Sequence, residues 1–201
     1  MFASGAACGA ALLLGACGGQ KSQDENEPSG NFQVEVVDAS FPGKQKLAKR
    51  SDLVIKVRNT GTKAVPNIAV TLSGFSKRSA NKELADRDRP LFVINGVPKE
   101  LGGIPETKEA APAGCDTAYV GTWACGKLKP GKERTFKWTV TAVVAGNYSV
   151  SYKVAAGLDG KAKAVAPGGG APRGSFTGKI SDAAPETRVA DDGKTVIEGT
   201  R

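Results

Sequence analysis

The chain has 201 residues, no histidine, and a formal net charge of +8 from 28 basic and 20 acidic residues. Without histidine it cannot carry a Ser-His-Asp or Cys-His catalytic centre, and it lacks the side chain that most often binds zinc. The positive charge indicates attraction to anionic surfaces. Nucleic acid is not predicted as a partner, because aromatic residues are few and no recognition motif is present.

The N-terminal region resembles a bacterial lipoprotein signal. Residues 6–16 form an apolar run that is too short to span a bilayer and ends in small residues before Cys17. We therefore assign residues 1–16 to a signal peptide and expect the Cys17 thiol to carry lipid. The first five residues contain no Lys or Arg, unlike a typical export signal, so we expect the translation start to lie upstream.

The expected lipid anchor defines both the location and the partners of the protein. It places the mature chain outside the cytoplasm, attached to the bacterial cell membrane. Residues 17–30 are small and polar and are predicted to form a flexible tether. The partners expected there are the membrane lipid at Cys17, anionic lipid or acidic cell-wall polymer, and a protein of unknown identity.

Two of the four cysteines, Cys115 and Cys125, lie outside the signal and its expected anchor residue Cys17. An even pair in an oxidising compartment predicts a disulfide. A redox or metal-binding pair is the alternative, although the spacing is much wider than Cys-x-x-Cys. The composition suggests no cofactor and no metal.

Alternation of apolar and polar residues predicts short strands, and no long helical period is present. The sequence therefore predicts an all-β antiparallel sandwich over residues 31–158. Residues 159–201 are rich in Gly and Pro at first and polar afterwards, so we expect a mostly disordered tail with one added strand near residues 195–198. The predicted strands lie near residues 32–36, 53–57, 68–72, 91–94, 117–123, 136–140 and 148–154.

Several of these segments resemble the bacterial immunoglobulin-like modules called CARDB. The matching features are a strand and Asn-Thr-Gly turn at residues 53–61, a strand at 64–70, the turn at Pro130-Gly131, and the closing strand at 146–150. The Gly-x-Tyr pattern that ends at Tyr148 is also similar to the tyrosine corner of sandwich folds. The resemblance implies an immunoglobulin-like sandwich and an adhesion, spacer or presentation role.

The long connection at residues 75–126 departs from that resemblance, and we place binding specificity there. Its candidate contact residues are Trp123, Tyr119, Arg87 and Arg89. The predicted function is a noncatalytic interaction or structural module at the cell surface. The alternative is a solute-binding or glycan-binding lipoprotein that uses the same insertion, with Trp123 stacking on a sugar.

Three further patterns suggest chemistry without completing a motif. The Ser-x-x-Lys at residues 79–82 lacks the other motifs of penicillin-recognising enzymes. The Gly-Lys-Thr at residues 193–195 lacks the first glycine of a phosphate-binding loop. Asp86 and Asp88 provide too few oxygen ligands for a calcium loop. We interpret the first as a solvated charged loop, the second as part of the tail, and the two aspartates as partners of Arg87 and Arg89 in local salt bridges. The protein is not predicted to be an enzyme.

Replacing Cys17 tests the lipid anchor. In cells grown with a labelled fatty acid, we expect the wild-type chain to carry label and Cys17→Ser to carry none, because only the Cys17 thiol is placed for acylation. Cys8→Ser is the matched control and should keep the label. Equal label on wild type and Cys17→Ser would contradict the anchor.

Overall fold

A computed structural model of the chain describes residues 26–75, 90–95, 115–182 and 187–198. The described residues form two large β-sheets and a small two-stranded sheet. No helix in these ranges is long and apolar enough to cross a membrane. The strands are β1 (Gly30–Ser40), β2 (Lys44–Lys46), β3 (Arg50–Asn59), β4 (Ala69–Ser73), β5 (Phe92–Ile94), β6 (Asp116–Tyr119), β7 (Thr122–Ala124), β8 (Glu133–Ala142), β9 (Gly146–Ala155), β10 (Ala162–Val165), β11 (Arg173–Ser181), β12 (Thr187–Val189) and β13 (Val196–Glu198).

The two large sheets confirm the predicted all-β sandwich. One sheet has five strands in the order β10-β1-β3-β8-β5, and the other has six in the order β2-β11-β9-β4-β7-β6. The sandwich is not purely antiparallel as predicted, because β10 pairs in parallel with β1, and β2 pairs in parallel with β11. Both exceptions are short strands at the edge of a sheet.

The core follows from strict alternation along the long strands. In β3, Leu53, Ile55 and Val57 are fully buried, while the residues between them face outward. Burying one such side chain contributes about 1.5–3 kcal/mol. Trp123 of the six-stranded sheet meets Trp138 of the five-stranded sheet edge-to-face, with ring centroids 5.2 Å apart. The two indoles therefore join the sheets at the centre of the core.

A second aromatic cluster packs around Phe41, which follows β1. Its ring lies 5.4 Å from those of Phe92 and Tyr148, and about 6 Å from those of Phe75 and Phe176. Aromatic pairs prefer such tilted and edge-to-face geometries. Residues from both sheets and from the loops after β1 and β4 are therefore held in one cluster.

The predicted boundary at residue 158 is wrong, and residues 159–201 are not a mostly disordered tail. Residues 162–165 pair with β1, and residues 173–181 pair with β9 along eight successive positions. The inward positions of β11 are Gly174, Phe176, Gly178 and Ile180. Two of these four have no side chain, which hid the strand from an analysis of hydrophobic alternation.

The two glycines of β11 make room for tyrosines of β9. Gly174 is the cross-strand partner of Tyr152, and Gly178 is the partner of Tyr148. A Cβ on Gly174 would lie 2.6 Å from Tyr152 Oη, and one on Gly178 would lie 2.5 Å from Tyr148 Oη. Each tyrosine ring therefore occupies space that a side chain on β11 would take, and both tyrosines are buried.

The predicted flexible tether is ordered at its C-terminal end. Glu27 is only 8% exposed, and its carboxylate accepts hydrogen bonds from the backbone N–H groups of Asp159 (2.8 Å) and Ala162 (2.5 Å). A buried carboxylate needs such donors to offset its lost hydration. The chain is therefore fixed to the sandwich from Glu27, three residues before the predicted end of the tether.

The hydrogen bond of Tyr148 corrects the tyrosine-corner comparison. Its hydroxyl donates to the carbonyl oxygen of Pro42, which lies 106 residues earlier in the chain rather than a few. The amide of Gln45 donates to the same carbonyl at 3.1 Å and accepts from the Ser51 hydroxyl at 2.8 Å. Tyr148 therefore fixes the segment that leads into β2, and burial raises the pKa of its phenol.

Substitution of Gly178 tests the tyrosine-over-glycine packing. A Cβ there would overlap both Tyr148 Oη and the carbonyl oxygen of Gly43, so we expect Gly178→Ala to reduce the free energy of unfolding by about 1–3 kcal/mol. Gly168→Ala is the control, because nothing lies within 4 Å of its Cβ position and the change should stay within about 0.5 kcal/mol. Urea denaturation measures both, and equal midpoints for the two variants would contradict the packing.

Candidate binding surfaces

Residues 115–125 fold into a β-hairpin closed by a disulfide. We call this segment the stapled hairpin. It consists of β6 and β7, and Tyr119 pairs with Thr122 across a two-residue turn. The turn requires Gly121, whose φ of +71° is in the left-handed region. The sequence predicted a single strand over residues 117–123, which is wrong because the chain reverses at Val120 and Gly121.

The Cys115–Cys125 disulfide is present as predicted, with a Cα–Cα distance of 4.1 Å. Both half-cystines are buried. The disulfide joins the two ends of the stapled hairpin next to its attachment to β4, where the N–H of Cys125 donates to the carbonyl of Ile68 at 2.9 Å. The hairpin is therefore fixed at its base by a covalent bond as well as by strand pairing.

The two aromatic candidates in the hairpin have opposite environments. Trp123 is 1% exposed and packs on Trp138, so the prediction that it contacts a ligand is wrong. Tyr119 is 56% exposed, and the adjacent Val120 is 90% exposed. Tyr119 remains a candidate contact residue, and Val120 was missed because an isolated valine between strands carries no sequence signal.

The other sequence candidates of the insertion cannot be placed. Arg87, Arg89, Asp86 and Asp88 lie outside the described residues, as does the Ser-x-x-Lys segment at 79–82. Cys17 lies outside them as well. These interpretations therefore stay as predictions from the sequence.

The Gly-Lys-Thr segment at 193–195 is a hairpin turn between β12 and β13. Asp192 accepts hydrogen bonds from the backbone N–H groups of Lys194 (2.9 Å) and Thr195 (2.8 Å), and from the Thr195 hydroxyl. These donors lower the pKa of the Asp192 carboxyl to about 2. The backbone donors that a phosphate loop would use are thus occupied by a side chain of the same turn.

The outward face of the five-stranded sheet carries charges that neutralise each other. The Glu133 carboxylate forms ion pairs with Lys56 and Arg58, with an N–O distance of 2.5 Å in each. The Asp52 carboxylate forms an ion pair with Lys137 at 2.9 Å. These contacts lower the pKa of the Glu133 and Asp52 carboxyls, mainly through hydrogen bonds from their lysine partners. This face therefore has no large excess of either sign along its central strands.

The outward face of the six-stranded sheet is different, because its cations lack acidic partners. Its strands contain one acidic residue, Asp116, on the far edge strand. In the described part of the chain, none of the five cations of this face has an ion-pair partner. We call this surface the basic face, and its cations are Lys44, Lys46, Lys153, Arg173 and Lys179, all exposed.

The two large sheets place the protein among all-β sandwich domains. No known protein-family model matches the chain, and no curated protein sequence matches it.

The chain is similar to a number of solved structures, among them a CARDB domain and an alpha-2-macroglobulin. A CARDB domain from Pyrococcus furiosus, solved in complex with di-metal ions, is 14% identical over 76% of this chain and 94% of that chain, with a TM-score of 0.41. Alpha-2-macroglobulin from E. coli is 15% identical over 80% of this chain, with a TM-score of 0.40, and the match spans 8% of its length. The fold class itself rests on the two facing sheets described above.

Removal of the disulfide tests how much this bond contributes to the stability of the domain. For a sequence separation of 10 residues, the chain-entropy relation gives a loss of about 3 kcal/mol in the free energy of unfolding for Cys115→Ser/Cys125→Ser. Guanidinium denaturation with and without reductant measures the loss. The double variant is the control for the reductant, since its own midpoint should not move, and an unchanged wild-type midpoint under reducing conditions would contradict the expectation.

Proposed function

We propose that the protein is a noncatalytic interaction module, anchored by lipid at Cys17 outside the cytoplasm, and that the tip of the stapled hairpin is its contact surface for a protein partner. The observation that supports the contact surface is the exposure of Tyr119 and Val120 on a hairpin whose base is covalently closed. Exposed tyrosines with fixed backbones contribute much to protein interfaces, because they bury a large area at little conformational cost.

The hairpin is held in a position that presents its tip. The N–H of Leu72 donates to the carbonyl of Gly121 at 2.8 Å, and the Thr71 and Thr122 hydroxyls are 2.9 Å apart. The turn is thus tied to β4, a strand inside the six-stranded sheet. A partner that binds Val120 would therefore meet a surface that needs little ordering on association.

The alternative of a solute-binding or glycan-binding module finds less support. Its sugar-stacking residue, Trp123, is closed off in the core. The described residues of the insertion present one exposed aromatic ring, that of Tyr119, beside the aliphatic Val120. An adjacent ring and aliphatic side chain favour an apolar protein contact over a sugar.

Site-specific crosslinking on intact cells tests the contact surface. A photoreactive residue at position 120 should give a discrete adduct, because that side chain projects from the tip of the hairpin. Position 93 is the matched control: Val93 is also an exposed valine, 45% accessible, on β5 at the edge of the other sheet.

Adding Tyr119→Ala to the position-120 variant should reduce the adduct, since the tyrosine would share the interface. The same adducts at positions 93 and 120, or no adduct at 120, would contradict the proposed surface. The Cys17→Ser variant separates location from contact, because it should lose the adduct in cells while the purified domain keeps its fold.

A further inference from the structure

We propose that the basic face binds an extended polyanion, a polymer of polyol or sugar units joined by phosphodiesters, that lies along β9 and β11. This proposal is independent of the hairpin contact, since it rests on other residues. On this face, positively charged side chains lie directly opposite each other on neighbouring strands. Lys153 is the cross-strand partner of Arg173, and Lys44 is the parallel partner of Lys179.

Like charges in directly opposed positions destabilise a sheet. Here the sheet contains two such pairs, with no acidic side chain among the described residues to compensate either one. The five-stranded sheet of the same protein shows the usual solution, in which carboxylates of neighbouring strands neutralise the cations. Such an arrangement is favourable when an external anion supplies the missing charge.

The two cation pairs have a defined separation. Arg173 and Lys179 are six residues apart on one strand, which corresponds to about 20 Å. A single small anion therefore cannot contact both pairs. An extended chain that carries several negative charges can, provided that it follows the direction of the strands.

The surface between the two pairs carries hydroxyl and amide groups. The outward positions pair Ser151 with Ser175, Ser149 with Thr177, and Asn147 with Lys179. Apart from Lys179, these exposed side chains present neutral hydrogen-bond donors and acceptors to a ligand on this face. They suit the hydroxyl groups and phosphate oxygens of a polyol phosphate, while Arg173 offers the forked geometry that phosphate binds well.

Two other anionic partners fit this surface less well. Single-stranded nucleic acid needs exposed aromatic rings on which bases stack, and the outward residues of β9 and β11 include none. A bilayer surface favours apolar side chains that insert between lipids. The exposed apolar residues of this sheet, Tyr119 and Val120, lie at β6 and its turn, on the opposite edge from Lys44 and Lys46.

Binding of the purified chain to labelled poly(glycerol phosphate), measured by fluorescence anisotropy at two salt concentrations, tests the proposal. We expect Lys153→Gln/Arg173→Gln and Lys44→Gln/Lys179→Gln each to weaken binding about tenfold. Each should also reduce the slope of log affinity against log salt by about 1.5, as expected for the loss of two phosphate contacts. Lys129→Gln/Lys163→Gln removes the same charge from exposed positions outside the basic face, and should change affinity less than twofold.

Three results would overturn the proposal. One is an equal loss of affinity in the control and in the two face variants, which would show that net charge alone drives binding. Another is tighter binding to single-stranded DNA than to poly(glycerol phosphate) at equal phosphate concentration. The third is binding to vesicles with anionic phospholipid that depends on the basic face while the polymer does not bind. Thermal unfolding of each variant confirms that these exposed substitutions leave the fold intact.

Discussion

The packing of two tyrosines over two glycines is the contact on which the six-stranded sheet depends. Tyr148 and Tyr152 occupy the inward space that side chains at Gly178 and Gly174 would fill, and this fixes the register of β11 against β9. β11 in turn positions β2, which pairs only with it. The basic face exists because of this arrangement, since four of its five cations lie on these two strands.

The sandwich separates its interaction chemistry onto different parts of one sheet. On the outward face of the five-stranded sheet, Lys56, Arg58 and Lys137 form ion pairs with carboxylates. In the described part of the chain, the cations of the six-stranded sheet have no ion-pair partner, and an exposed apolar hairpin tip lies at one edge of that sheet. The proposed polymer and protein contacts use these two regions and do not compete for the same residues. If both proposals hold, one rigid scaffold would hold two partners at once.

The parts of the fold that the sequence predicts are those where side chains alternate in size and polarity. β3, β8 and β9 show that alternation, and they form the centre of the sandwich where it decides the fold. β11 does not show it, because Tyr148 and Tyr152 fill its glycine positions from the neighbouring strand. A pattern of hydrophobic residues shows only the side chains that a strand itself contributes to the core. It does not show core positions that side chains of a neighbouring strand fill.

The candidate surfaces differ in how far the sequence predicts them, because some are formed by residues that are close in sequence and others are assembled only by folding. The Cys115–Cys125 disulfide follows from the even pair of cysteines and the expected oxidising compartment, and Tyr119 stands out as an aromatic residue in a polar segment. The basic face could not be predicted, because its cations come from residues 44–46, 153 and 173–179, which are adjacent only after folding. Trp123 was misassigned because a tryptophan carries the same sequence signal in a core as on a surface.

The buried Glu27 has a mechanical consequence. If Cys17 is held in a membrane, any drag on the domain reaches the sandwich as tension on the segment before β1. Among the described residues, Glu27 is the first point of resistance, through its bonds to the amides of Asp159 and Ala162. Beyond it, β1 has hydrogen-bonded neighbours on both sides, β3 and β10, and these bonds run across the direction of pull. Under tension along β1 these bonds would carry the load together, in shear, instead of opening one after another, so such an anchor would pull on the domain where it resists unfolding best.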